Sequence, residues 1–248
     1  MKLTIITATF NSAHGINKCM DSILHQDYKN IEYIIIDGQS KDLTLEIISE
    51  KQKTHPSIKL ISESDQGIYD ALNKGLSAAS GDIIGFVHSD DFLESNNIIG
   101  DIVSMIKSEN LDGVYGDLQY VDKNNIQIVI RNWKSSEFNK SLLKKGWMPP
   151  HPTLFLKKEV YKNHGLFDLS YKISADYDFM LRVFNDSELK FGYLPKVITR
   201  MRVGGASNRS LKNIIRKTKE DYRAIKRNNI GNFTTLITKN TSKLKQFF

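Results

Sequence analysis

Short apolar runs alternate with amphipathic segments along the first third of the chain. The runs are rich in isoleucine and cover residues 2–9, 31–36, 58–62 and 83–87. Between them, apolar side chains recur at helical spacing in residues 16–24, 43–49 and 68–79. Short apolar runs are typical of buried strands, and helical spacing is typical of helices with one buried face. The alternation predicts an α/β fold with a parallel sheet covered by helices on both faces.

The second half of the chain has a more mixed pattern. Strands are predicted at residues 113–120, 126–133, 153–156, 190–194 and 197–203, and helices at residues 136–144, 157–163 and 174–185. Residues 211–225 carry apolar side chains every three or four positions, with Lys and Arg between them, which predicts a basic amphipathic helix. Because no repeat or long linker interrupts residues 1–208, we expect one continuous body followed by a tail at residues 209–248.

Composition limits the class of protein. The chain has 248 residues, 40% of them hydrophobic and 25% charged, which is ordinary for a globular protein. Its single cysteine, Cys19, excludes an internal disulfide framework and indicates a reduced, cytoplasmic setting. The apolar run at the start stops at Asn11, too early for a secretory signal, and no run approaches the ~20 residues of a membrane-spanning helix.

Positive charge is concentrated in the tail. Residues 209–248 hold eleven Lys or Arg and two Asp or Glu, a net charge of +9, whereas the whole chain carries +7 and residues 1–208 therefore carry −2. A nearly neutral body with a basic tail predicts an enzyme domain that attaches to an anionic surface, either lipid or nucleic acid. The alternative is that the tail helix packs against the body through Ile214, Ile215, Tyr222 and Ile225.

Polar residues cluster where the predicted strands end. They are Thr7, Thr9 and Asn11 after the first strand, Asp37 after the second, Asp65 after the third and His88, Ser89, Asp90 and Asp91 after the fourth. Ligands of open parallel sheets bind at this edge. Adjacent carboxylates supply the oxygen ligands that Mg²⁺ or Mn²⁺ takes together with phosphate oxygens. Asp90 and Asp91 therefore indicate a metal–diphosphate site; the alternative is a cap for a helix beginning near Phe92.

These residues, in this order, resemble the glycosyltransferases of family 2, which are inverting nucleotide-sugar enzymes with the GT-A fold. The matching segments are residues 5–11, 35–42, 73–75, 79–82 and 86–91. Residues 64–75 are similar to a subgroup that builds bacterial exopolysaccharide, capsule and lipopolysaccharide O-antigen. The resemblance implies a Rossmann-like, mostly parallel sheet, with a nucleotide-sugar-binding half at residues 1–95 and an acceptor-binding, catalytic half at residues 96–208.

The resemblance also implies roles for individual residues. Thr7, Thr9, Asn11, Asp65 and Ser89 belong to the donor pocket, Asp37 accepts a hydrogen bond from the base, and Asn73 and Lys74 lie near the nucleotide or its diphosphate. Asp90 touches the metal ion, with Asp91 beside it. At His88 the sequence departs from the aspartate that is commonest in the family. The alternatives are structural: strand residues, a loop cap and a solvated helix face.

Inverting transfer needs one base to deprotonate the acceptor hydroxyl. Asp176 matches the family's catalytic aspartate, although Ala175 departs from the acid that often precedes it; the alternative is an N-cap for the helix that follows. Trp147 and His151 lie in an aromatic, proline-rich segment that suits a sugar acceptor. The alternative is that Trp147 is a core side chain and His151 a structural residue.

The sequence therefore predicts an inverting glycosyltransferase that uses Mg²⁺ or Mn²⁺ and a nucleotide-diphosphate sugar, with UDP the first choice. The expected acceptor is a glycan or a polyprenyl-diphosphate-linked molecule, and the tail is expected to contact the inner face of the cytoplasmic membrane. The rival enzyme class, a sugar-nucleotide nucleotidyltransferase, is disfavoured because this sequence lacks the glycine-rich, basic loop that such an enzyme has after its first strand. A nucleic-acid-binding module is disfavoured because the positive charge is confined to the tail and no known motif is present.

Overall fold

The first half of the chain forms the parallel βαβ units that its apolar runs predict. Its strands are β1 (Leu3–Thr9), β2 (Ile31–Asp37), β3 (Ile58–Ser62) and β4 (Ile83–Phe86), and its helices are α1 (Ile16–Leu24), α2 (Thr44–Thr54) and α3 (Ile68–Ala78). These strands pair in the order β3-β2-β1-β4, all parallel. The computed structural model describes residues 1–204 and 211–242, so the predicted body–tail boundary and residues 243–248 lie outside the described residues.

The second half extends the same sheet with mixed strand directions. Its strands are β5 (Asp91–Leu93), β6 (Gly113–Val121), β7 (Val129–Trp133), β8 (Phe155–Lys157) and β9 (Phe191–Arg202). Its helices are α4 (Ile98–Ser108), α5 (Lys158–His164), α6 (Ala175–Phe184), α7 (Leu211–Arg227) and α8 (Phe233–Ser242). The order is β3-β2-β1-β4-β8-β6-β9-β5, with β7 paired to β6. Four of the eight pairings are antiparallel, so the α/β fold is confirmed with a mixed sheet.

Local periodicity misses several elements of the second half. The two strands predicted at residues 190–194 and 197–203 are one strand, β9, whose pairing with β6 jumps from Gly116–Leu194 to Asp117–Val197. Pro195 lies in the resulting bulge, where its missing N–H costs no ladder hydrogen bond. β5 is too short to show a period and forms because β9 pairs with it. Helices α4 and α8 were not predicted, and the helix expected at residues 136–144 is a 3-10 helix at Lys140–Lys145.

Two apolar layers hold helices to the two faces of the sheet. Alternation along β1 sends Leu3 and Ile5 to the layer formed by α1, α2 and α4, and sends Ile6 and Ala8 to the layer formed by α3, α5 and α6. Gly75 lets α3 approach β1 closely, since a Cβ atom there would overlap the Ile6 side chain. The predicted coverage of both faces is confirmed.

The C-terminal helices pack against the second layer. Ala224 and Ile225 of α7 and Leu236 of α8 are buried in it. Of the apolar positions predicted to pack, only Ile225 is buried, whereas Ile214 and Ile215 are exposed. No helix within residues 1–204 and 211–242 has both the length and the apolar character needed to cross a bilayer.

Candidate active site

The ends of β1, β2 and β3 meet at one edge of the sheet, where an aromatic ring and a carboxylate frame Gly38. A Cβ atom at Gly38 would lie 2.5 Å from Asp65 Oδ2 and 3.4 Å from the Phe10 ring. Asp65 Oδ1 accepts a hydrogen bond from the Gly67 N–H at 2.8 Å. Phe10 is 60% exposed, and an exposed ring at this edge can stack on a nucleobase. The sequence analysis missed Phe10, although an aromatic residue inside the first polar cluster was the available signal.

Asp37 is fully buried at the end of β2. Its carboxylate accepts hydrogen bonds from the Ser40 N–H and hydroxyl, at 3.1 and 2.5 Å, and from the Ser62 hydroxyl at 2.8 Å. An ionised carboxylate has about four acceptor positions, so about one remains for a ligand. Ser40 also accepts from the Asn11 N–H at 2.8 Å, and Asn11 Oδ1 accepts from the Lys41 N–H at 2.8 Å. Asp37 and Asn11 thus fix the loop that borders Gly38.

The two threonines of β1 lie at different depths. Thr7 is fully buried and donates a hydrogen bond to the Val87 carbonyl at 2.7 Å, so it supports the end of β4 from beneath. Thr9 is also buried, and its hydroxyl has no hydrogen-bond partner among the residues that the structure describes. Of the two, Thr9 has the hydroxyl available to a ligand.

Asp90 and Asp91 are adjacent in the chain but differ in exposure, because Asp90 ends the loop between β4 and β5 and Asp91 is the first residue of β5. Asp90 is exposed, and it lies so near the start of α1 that a Cβ atom at Gly15 would be 2.8 Å from its Oδ1. The Asp90 carbonyl accepts a hydrogen bond from Arg202 at 2.6 Å. Ser89 beside it is buried and donates to the Ser12 hydroxyl at 2.8 Å. Asp91 is buried, and burial and then the Asp90 charge hold its pKa well above the usual range.

Asp90 is the carboxylate of this pair that a metal ion can reach. In the described part of the chain, no three His, Cys, Asp or Glu side chains converge to hold an ion by themselves. Mg²⁺ bound to a diphosphate needs only one or two protein carboxylates, with phosphate and water completing its shell. The exposed Asp90 fits that requirement. Asp91, in contrast, is 2% exposed, and its Oδ2 is buried within the protein.

Asn73 and Lys74 of α3 have internal partners. The Asn73 amide donates to the Phe167 carbonyl at 2.9 Å and accepts from the Phe167 N–H at 3.0 Å. The Lys74 ammonium lies 2.9 Å from a Glu63 carboxylate oxygen and donates to the Ser64 carbonyl at 2.6 Å. Both side chains therefore tie neighbouring segments to α3.

Asp176 lies in the first turn of α6, beside groups from distant parts of the chain. Its Oδ1 accepts a hydrogen bond from the Tyr69 hydroxyl at 3.0 Å. His151 is buried between Phe86 and Phe167, with ring centroids 5.4 and 5.6 Å away. Burial lowers the pKa of His151, and the Asp176 charge opposes that shift. His151 thus lies within the electrostatic influence of Asp176, and Tyr69, which the sequence analysis missed, contacts both Asp176 and the Phe167 ring that packs on His151.

His88 joins the same group, 6.1 Å from His151 between ring centroids. Burial, and then the neighbouring His151, lower the pKa of His88 to about 4, while Asp176 opposes the shift. A neutral imidazole has one donor and one acceptor nitrogen, and Nδ1 of His88 is buried without a hydrogen-bond partner in the described ranges. A neutral hydrogen-bonding side chain therefore stands where the commonest family pattern has a carboxylate.

Trp147 packs mainly as a core residue. Its ring lies 5.4–5.7 Å from those of Tyr115, Phe138 and Phe184. The Trp147 side chain also lines a cavity of about 280 Å³, which Trp133 and Lys239 line as well. Most contacts of Trp147 are therefore those of a core side chain, and one side of the residue borders the cavity.

Comparison with known proteins places the chain in a family. Residues 4–165 match the family described as "Glycosyl transferase family 2". A "PGL/p-HBAD biosynthesis glycosyltransferase" of Mycobacterium bovis (strain BCG / Pasteur 1173P2) is 30% identical over 208 residues, covering 83% of this chain and 78% of the relative. The "Chondroitin synthase" of Pasteurella multocida (strain Pm70) is 27% identical over 93% of this chain and 24% of its own length.

Solved structures share the fold. TarS residues 1–349 of S. aureus, in complex with UDP-GlcNAc, gives a TM-score of 0.72 at 20% identity, and the match covers 92% of this chain and 65% of that chain. The mannosyltransferase PcManGT of Pyrobaculum calidifontis, in complex with GDP-Man and Mn²⁺, gives 0.66 at 18% identity, over 91% and 63% of the two chains. The family match spans more than half of the chain and confirms the resemblance seen in the motifs: the chain belongs to glycosyl transferase family 2 and is a glycosyltransferase.

Proposed function

We propose that the protein is an inverting glycosyltransferase in which Asp176 deprotonates the acceptor hydroxyl. The observation that carries this proposal is the position of Asp176: a half-buried carboxylate in the second half of the chain that accepts a hydrogen bond from Tyr69, near the packed His88 and His151 rings, whose pKa values are lowered by burial. A carboxylate held at one oxygen in an apolar, aromatic surrounding is suited to accept a proton from a bound hydroxyl.

The donor is a nucleotide-diphosphate sugar bound along the edge from Phe10 to Asp90. The base stacks on Phe10 near Asp37 and Asp65, while Asn11 and Thr9 border the ribose and Ser89 supports the diphosphate loop. UDP is the first choice because a structural neighbour is described with UDP-GlcNAc, and GDP is the second because another is described with GDP-Man. Asn73 and Lys74 act indirectly, by holding α3. Asp90 would hold Mg²⁺ or Mn²⁺, and that ion would offset the charge developing on the leaving diphosphate.

In the reaction the acceptor oxygen attacks the anomeric carbon of the donor sugar. Its proton passes to Asp176, the new oxygen–carbon bond forms, and the bond to the diphosphate breaks with its electron pair leaving on the diphosphate. Attack opposite the leaving group inverts the anomeric configuration without a covalent enzyme intermediate. Tyr69 fixes the carboxylate that receives the proton, and His151 borders the acceptor. Asp91 stays behind the site and shapes the loop that presents Asp90.

The acceptor is a glycan or a polyprenyl-diphosphate-linked sugar in bacterial surface polysaccharide synthesis, with the chain acting at the inner face of the cytoplasmic membrane. The cavity beside Trp147 is a place for its sugar rings. The outer face of α7 and α8 leaves apolar side chains exposed, Ile215 at 57% and Phe233 at 59%, among tail residues of net positive charge. Apolar and basic groups on one exposed surface suit an anionic bilayer.

Membrane attachment is tested with point variants, because cutting the chain before α7 would remove Ile225 and Leu236 from the core. Co-sedimentation with vesicles containing anionic lipid compares the wild type with Ile214→Ser/Ile215→Ser. The proposal expects lower recovery of the variant at unchanged Tm. Equal recovery of both proteins with neutral and anionic vesicles would remove the membrane contact from the account.

The donor site is tested by calorimetric titration of UDP, GDP and dTDP, with and without Mn²⁺. The expected result is metal-dependent binding of one nucleotide that Asp90→Ala abolishes. Asp27→Ala, at an exposed aspartate beyond the other end of α1, is the matched control and should bind as the wild type does. If no nucleotide binds under any metal condition, the proposed donor site is wrong.

A further inference from the structure

Helix α6, which carries Asp176, begins without a cap from its own sequence. Its N-cap residue, Ser174, makes no side-chain hydrogen bond to the helix. Instead, three consecutive backbone N–H groups point to one carboxylate oxygen, Glu220 Oε2, from Lys172 at 3.1 Å, Ile173 at 2.8 Å and Ser174 at 3.0 Å. Glu220 belongs to α7, so a side chain of the C-terminal helices holds the turn that leads into α6, accepts from the N–H of the N-cap residue and places a negative charge near that helix N-terminus, where it is favourable.

The same turn is connected to the carboxylate of Asp176. The Ile173 carbonyl accepts a hydrogen bond from the Tyr69 hydroxyl at 2.6 Å, so the N–H and the carbonyl of this residue are both held. That hydroxyl has one proton and its oxygen also lies 3.0 Å from Asp176 Oδ1, so the carbonyl and the carboxylate share one donor. Glu220, the turn at residues 172–174, Tyr69 and Asp176 thus form one continuous set of hydrogen bonds. The set joins α7, α6 and α3 around the carboxylate.

We propose that Glu220 is a positioning residue for Asp176, so that helix α7 completes the catalytic site. The proposal rests on the role given above to Asp176. A base must lie within hydrogen-bond reach of the proton it takes, and a shift of about 1 Å in a reacting group can cost about a hundredfold in rate. Without Glu220 the turn at residues 172–174 loses its only hydrogen-bonded anchor from α7 in the described chain, and Tyr69 and Asp176 lose a fixed partner.

Glu220 is not needed to keep α7 on the body. Ala224 and Ile225 of α7 are buried in the core, Arg223 donates to the Ser170 hydroxyl at 2.9 Å, and Asn228, just after the helix, donates to Asp178 Oδ1 at 3.0 Å. Variants at Glu220 should therefore fold with α7 in place. Lys219→Ala is the matched control, since Lys219 is an exposed neighbour on the same helix.

Hydrogen–deuterium exchange tests the contact independently of any activity. In Glu220→Ala, the amides of residues 172–174 should exchange about tenfold faster than in the wild type, with peptides of α7 unchanged. Glu220→Gln keeps one acceptor oxygen and should fall between the two. Unchanged exchange at residues 172–174 in Glu220→Ala overturns the proposal.

Kinetics then separate positioning from simple stabilisation. With UDP-N-acetylglucosamine and GDP-mannose as donors in the presence of Mn²⁺, nucleoside diphosphate release should lose about tenfold in kcat in Glu220→Ala, with donor KM within about twofold. Glu220→Gln should recover part of the loss, and Lys219→Ala should match the wild type. A wild-type kcat in Glu220→Ala, or a parallel loss of kcat, donor binding and Tm, would overturn the proposal.

The failure of the proposed function has a different signature. If Asp176→Asn releases nucleoside diphosphate as fast as the wild type, Asp176 is not the base, whatever Glu220 does. If neither donor is turned over by the wild type, the proposed UDP and GDP donors are wrong, while the exchange experiment still decides whether Glu220 holds the turn.

Discussion

The two carboxylates at the centre of the proposed reaction are held in different ways. Asp90 follows β4 directly, and its position is set by that strand, by the start of α1 and by Arg202 at the end of β9. Asp176 instead depends on Tyr69, 107 residues earlier, and on a turn that Glu220 holds from 46 residues later. The sheet itself therefore positions the donor-binding edge. The Asp176 carboxylate is instead positioned by side chains that are far apart in the sequence and meet only when the whole chain has folded.

The largest expected effect is that of Lys239→Met, which tests how far the packing around Asp176 depends on the C-terminal helices. Lys239 is 2% exposed, pairs with Asp221, and places its ammonium 3.3 Å from the centre of the Tyr177 ring, next to Asp176. Removing Lys239 takes away the more deeply buried of the two lysines that pair with the Asp221 carboxylate and leaves Lys217 at 2.9 Å, so we expect a loss of about 3 kcal/mol in the free energy of unfolding. Chemical denaturation measures it, with Lys226→Met as the exposed control. Equal stability of the two variants would mean that the tail is not held by this pair.

Lowering the pH tests the ion pairs of Asp221 without a mutation. Burial alone would raise the pKa of Asp221, but Lys239 and Lys217 more than offset it and lower the pKa to about 2. Because this pKa is below the value of about 4 in an unfolded chain, the pair's contribution is complete above pH 4 and is lost as the pH falls towards 2, amounting to about 2 kcal/mol. Urea denaturation between pH 6 and pH 3 should show about half of this loss, about 1 kcal/mol, in the wild type. A variant Asp221→Asn that keeps the same pH slope contradicts it.

Gly15→Ala acts on the Asp90 side alone. A Cβ atom at Gly15 would lie 2.7 Å from the Ser89 carbonyl and 2.8 Å from Asp90 Oδ1, so the loop must shift. Such overpacking costs about 1–3 kcal/mol, and we expect metal-dependent nucleotide binding to weaken about tenfold. Gly100→Ala is the control, because the nearest atom to a Cβ there is the side-chain Asp27 Oδ1, at 3.2 Å. Wild-type affinity in Gly15→Ala would show that the Asp90 loop tolerates movement.

Asn73→Ala has the smallest expected effect. It distinguishes the role that the sequence implies for Asn73, a contact with the nucleotide, from the role that the structure indicates, a contact with the Phe167 backbone. If Asn73 contacts the nucleotide, binding should weaken strongly. The structure instead pairs Asn73 with the Phe167 backbone in both directions, so we expect a loss of about 1–2 kcal/mol in stability, with nucleotide Kd within about twofold. Thermal denaturation and calorimetry on the same sample decide between the two.

The donor edge was predictable because it follows from local sequence. Each apolar run ends at a polar residue, and the rule that strand ends meet at one edge brings Asp37, Asp65 and Asp90 together without knowledge of side-chain contacts. The same rule could not tell the depth of Thr7 from that of Thr9, because depth depends on which side chains pack beneath the strand. Phe10 stood inside the pattern and was overlooked.

The surroundings of Asp176 were not predictable in this way. Asp176 itself was found by a motif, but nothing in the spacing of Tyr69 or Glu220 indicates that both reach the same turn. β5 was missed for a related reason, since three residues show no period and the strand exists only because β9 pairs with it. In the tail, helical spacing predicted α7 but placed Ile214 and Ile215 with the packed residues, whereas Asp221 and Ala224 form the buried side. Long-range packing decided each of these cases.

The division of labour between the two carboxylates is tested most directly by measuring donor binding and nucleoside diphosphate release for the wild type, Asp90→Asn and Asp176→Asn in the presence of Mn²⁺. The account predicts that Asp90→Asn loses metal-dependent donor binding. It predicts that Asp176→Asn binds donor within about twofold of the wild type and loses about 10²–10⁴ in kcat. Full activity in Asp176→Asn, or wild-type metal-dependent binding in Asp90→Asn, would contradict the account.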